Sequence, residues 1–122
     1  MTSEELNSLE KLYSKFTEEC KRVGEIISKV HWDITSYYED APYCDTWSIQ
    51  DNTVYGRGNC GDDSYCEFPS KYLIMSDSEL TDMINKMNAD YLEEKHRKEK
   101  EATTKRELAE LKRLKEKYEQ RE

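Results

Sequence analysis

From Leu6 to Val30 the apolar positions recur at alternating spacings of three and four: Leu6, Leu9, Tyr13, Phe16, Cys20, Val23, Ile27 and Val30. That spacing is a heptad seam, and it predicts an amphipathic helix over residues 3–30. Glu4, Lys11, Glu18, Lys21, Arg22 and Glu25 lie off the seam. Thr2 and Glu5 have the spacing of a capping box, in which a hydroxyl and a carboxylate satisfy free N–H groups at the helix start. Gly24 weakens this helix locally without breaking the pattern.

The texture changes over residues 31–75, which hold both prolines and every glycine except Gly24. His31 to Tyr38 alternates, with Trp32, Ile34 and Tyr38 expected on one strand face. Asp40-Ala41-Pro42 reads as a turn. Trp47-Ser48-Ile49 and Thr53-Val54-Tyr55 read as short strands joined at Asp51-Asn52, a pair that tolerates positive φ in a tight hairpin. Ser64 to Phe68 is a further strand, ended by Pro69.

A last helix is expected from Ser76, where Ser76 and Glu79 repeat the cap spacing and Asp77 suits the positive helix end. Leu80, Met83, Ile84, Met87 and Tyr91 form its apolar face. Beyond Leu92 the chain is almost wholly polar until Leu108, Leu111, Leu114 and Tyr118 resume a stripe. Either one helix runs to the end or it breaks near Thr103-Thr104. The expected class is α+β: a long N-terminal helix, an antiparallel sheet of three or four strands, and a long C-terminal helix or helical pair. Residues 1–92 form the compact domain, and 93–122 form a solvated helical extension.

Charge narrows the range of partners. The chain has 122 residues and a net charge of −8, yet residues 31–75 hold only Arg57 and Lys71 against eight acids. The two ends are nearly balanced. A negative field confined to the central module argues against direct nucleic-acid contact and favours a basic partner surface, such as one that itself handles nucleic acid. Asp45, Asp51, Asp62, Asp63 and Glu67 are the acidic candidates for that contact. Alternation places Tyr37, Tyr55 and Tyr65 on the face away from the core, where tyrosine offers large contact area at low entropic cost. The acidic start Met1-Thr2-Ser3-Glu4-Glu5 lacks an apolar targeting segment, and no run is long enough to span a bilayer. A cytoplasmic setting with no membrane contact is the expectation.

There the four cysteines should be reduced. A hairpin turning at Asp51-Asn52 places Cys44 opposite Asn59, one step from Cys60. A following turn centred on Asp63 would set Cys66 opposite Cys60. Zinc takes four ligands in a tetrahedron. Cys44, Cys60 and Cys66 supply three, and His31 is the expected fourth, with Cys20, Asp45 or water as alternatives. The competing reading makes Cys66 a small core residue on the strand face it shares with Phe68, and Cys20 a buried member of the heptad seam.

Catalytic signatures are missing: there is no H-E-x-x-H, no nucleophile elbow and no phosphate-binding glycine loop. His96 lies in a run of charged residues and reads as a surface side chain. A cysteine-dependent enzyme would need a reactive thiolate at Cys60 or Cys66, and no third orienting group is identifiable. The residues therefore read as a binding protein and not an enzyme, with dimerisation through the heptad stripes as the rival role.

The stretch Trp47-Ser48-Ile49-Gln50-Asp51-Asn52-Thr53-Val54-Tyr55, followed by Phe68-Pro69-Ser70-Lys71-Tyr72-Leu73-Ile74-Met75-Ser76-Asp77-Ser78-Glu79-Leu80, resembles small accessory proteins of phages of Gram-positive bacteria. Some proteins of that kind are anti-CRISPRs that inhibit Cas9. The resemblance covers roughly residues 45–92 and implies a phage-encoded, stoichiometric inhibitor of a host nuclease, Cas9 first. It carries over no functional residues, and the cysteine-bearing loop departs from the pattern.

Overall fold

A computed structural model of the chain describes residues 1–58 and 64–119. The fold is α+β. Helix α1 (Ser3–Ile27) leads into a turn-rich segment and a short 3-10 helix, Ala41–Tyr43. Strands β1 (Thr46–Gln50), β2 (Thr53–Arg57) and β3 (Tyr65–Pro69) form an antiparallel sheet in the order β1-β2-β3. A second 3-10 helix, Ser70–Ile74, precedes helix α2 (Asp77–Glu119).

The Thr2–Glu5 capping box starts α1 as its spacing predicts: Glu5 N–H donates to Thr2 Oγ1 at 3.1 Å, and Thr2 N–H donates to Glu5 Oε1 at 3.4 Å. The helix ends at Ile27, short of residue 30, because the chain tightens into three-residue turns, with Lys29 N–H bonding Ile26 O and Val30 N–H bonding Ile27 O. Asn88 then clamps the exit. Its Oδ1 accepts from His31 N–H at 2.7 Å and its Nδ2 donates to Lys29 O at 3.1 Å.

Residues 31–38 are turns and not the expected strand. Ile34 N–H bonds His31 O, and Tyr37 N–H bonds Thr35 Oγ1, so local bonds occupy donors that a strand would present to a neighbour. The segment meets the sheet where Glu67 N–H donates to Tyr37 O at 3.2 Å. Trp32 is exposed while Tyr38 is buried, so the two do not share a face.

The hairpin register follows from its turn. Asp51 and Asn52 both have positive φ (51° and 63°), the requirement of a two-residue turn whose twist matches the strands. Gln50 accordingly pairs with Thr53, Ile49 with Val54 and Trp47 with Gly56. The next pair differs from expectation: Cys66 faces Gly56, which takes the position opposite Cys66 that had been expected for Cys60.

One sheet face builds the core. Trp47, Val54, Cys66 and Phe68 pack with Cys20, Val23 and Ile27 of α1 and with Leu80 and Ile84 of α2. Gly24 lets α1 approach the 3-10 helix Ala41–Tyr43 closely, since a Cβ there would lie 3.1 Å from Ala41 Cβ. Arg22 ties α1 to the chain entering α2. It pairs with Glu19 at 2.5 Å and Asp77 at 2.6 Å, and donates to the carbonyls of Leu73 and Met75 at 3.2 and 3.1 Å.

The chain divides into two compact units, Met1–Asn88 and Ala89–Glu122. The α2 residues of the second unit continue as helix through Thr103-Thr104, where Thr104 Oγ1 bonds back to Lys100 O. Leu92, Leu108, Leu111, Leu114 and Tyr118 are exposed on it. No helix among the described residues is long and apolar enough to cross a membrane.

Candidate functional site

Strand alternation leaves one sheet face outside the core. Thr46, Arg57 and Tyr65 form one cross-strand row on it, and Ser48, Tyr55 and Glu67 form the next. Tyr37, held at the edge of β3 by the bond from Glu67 N–H, packs edge-on against Tyr65 with ring centroids 6.0 Å apart. The three tyrosines expected on the outer face are thus assembled there. The Arg57 guanidinium lies 5.6 Å from the centroid of the Tyr65 ring, within cation–π range. Tyr65 Oη donates to Glu67 Oε2 at 2.8 Å. That hydrogen bond to the carboxylate, aided by partial desolvation, pushes the Tyr65 hydroxyl up to about 12.

The acidic candidates are distributed differently. Glu67 is the one that lies on the face itself, paired with Tyr65. Asp45 is exposed before β1, its N–H donating to Arg57 O, and Asp51 is exposed in the turn at the other end of the hairpin. Asp62 and Asp63 lie outside the described residues. Carboxylates therefore frame the tyrosine face at its two ends, while Arg57 and Glu67 balance in its middle. Arg57 was not singled out from the sequence, although alternation from Tyr55 places it on the same face.

The thiols sort by burial. Cys20, Cys44 and Cys66 are free and buried in one core cluster. Burial pushes Cys20 up to about 12, Cys44 to about 11 and Cys66 to about 12. Nearby Cys44, Cys20, Asp40 and Glu67 add to the Cys66 shift, so the cluster is electrostatically connected. The Cys44 thiol donates to Asp40 O at 3.5 Å. Cys66 is therefore a protonated core thiol, a poor nucleophile, and Cys20 joins Cys44 and Cys66 through the helix seam. His31 lies at the exit of α1, its Nδ1 accepting from Asp33 N–H at 3.1 Å and its ring stacked on Trp32. Cys60 lies outside the described residues. Among those residues, no group of three or more His, Cys, Asp or Glu side chains is placed to hold a metal ion.

No family model, curated protein or solved structure matches this chain.

Proposed function

We propose that the chain is a stoichiometric protein-binding module that docks through the outer face of its sheet. The observation that carries the reading is the placement of Tyr37, Tyr55 and Tyr65 on the sheet face outside the core, with the Arg57 guanidinium by the Tyr65 ring and Glu67 bonded to the Tyr65 hydroxyl. Tyrosines anchored by neighbours, as Tyr37 and Tyr65 are by each other, lose little further rotamer freedom on binding. Carboxylates at both ends of the hairpin, within the acidic 31–75 module, favour a partner surface rich in Lys and Arg.

In its specific form, the protein is a phage-encoded inhibitor of a nucleic-acid-handling defence nuclease, with Cas9 the first target to test. That identity is supported by the sequence resemblance over residues 45–92; the tyrosine face supports the docking mode. The test is a pull-down with Cas9 paired with a DNA-cleavage assay at increasing inhibitor ratios. One-to-one inhibition that Tyr55→Ala and Tyr65→Ala weaken is the expected result. Neither binding nor inhibition ends the Cas9 assignment, and unimpaired binding by both variants ends the sheet-face assignment.

A further inference from the structure

We draw no further inference here: the strongest candidate, the apolar groove that Leu9, Leu12 and Phe16 of α1 form with Ile49, Leu73 and Ile74, has a charged lining that balances, Lys15 against Glu19, and nothing in the structure shows what covers it.

Discussion

Replacing Gly56 by alanine tests whether the sheet face and Trp47 form one rigid contact. A Cβ at residue 56 would lie 2.6, 2.8 and 2.9 Å from Cζ3, Cε3 and Cη2 of Trp47. Those atoms belong to a flat ring that cannot fold aside as a flexible chain end would. The ring is 2% exposed, packs on Phe68 at 6.0 Å, and has Gly24 on another side, so it has little room to retreat. Overpacking of this kind costs about 1–3 kcal/mol. Alanine also restricts the unfolded chain, which offsets about 0.4–1 kcal/mol. The net expectation is a loss of roughly 1–2 kcal/mol, seen as a lower urea midpoint at unchanged m-value when unfolding is followed by near-ultraviolet circular dichroism. Trp47→Leu supplies the control, with sulfate or sucrose added to support the weaker background. There the clash is gone, and Gly56→Ala should be neutral or stabilising by about 0.4–1 kcal/mol. An equal loss in both backgrounds would refute the steric account.

Arg22→Ala should destabilise the first unit by about 2–3 kcal/mol, because two carbonyls and two carboxylates lose a shared, partly buried donor. Arg22→Lys should restore only part of this in urea unfolding, since an ammonium cannot reproduce the planar fork. Thiol titration of the native protein at pH 8 should find Cys20, Cys44 and Cys66 slow, with full reactivity restored in denaturant; fast native labelling of Cys66 would revive the enzymatic reading. Stability should fall on the alkaline side. The three thiols have an ordinary value of 9.0, raised by burial to about 12, 11 and 12, so the fold favours the protonated forms. Their contribution is fully present below about pH 9 and is lost as pH rises through 11 to 12. Thermal melts at stepped pH read this directly, and a flat profile from pH 8 to 11 would contradict it. The zinc expectation for Cys44, Cys60, Cys66 and His31 is read by metal analysis of reduced protein: one equivalent that disappears in Cys66→Ser would establish it, and no measurable zinc would end it.

Features governed by neighbours along the chain were legible in the sequence. Thr2 with Glu5 and Ser76 with Glu79 mark helix starts because a cap needs partners three residues apart. Asp51-Asn52 set the β1–β2 register because both residues accept positive φ in a two-residue turn. Period-two alternation then placed Tyr55 and Tyr65 on the outer face.

Tertiary structure decided what depends on distant contacts. The β2–β3 connection is longer, so local turn chemistry did not specify its register, and Gly56 instead of Cys60 faces Cys66. Residues 31–38 alternate like a strand, yet local bonds and the Asn88 clamp turn them away from the ladder. Above all, the heptad seam of α1 carries one spacing along its whole length. Whether a leucine or valine on it is core or open surface depends on how far the sheet and the first turns of α2 extend beneath it. They cover Cys20 to Ile27 and leave Leu6 to Tyr13 exposed. Periodicity defines which face of a helix is apolar, but only the area of the opposing layer determines how much of that face is buried.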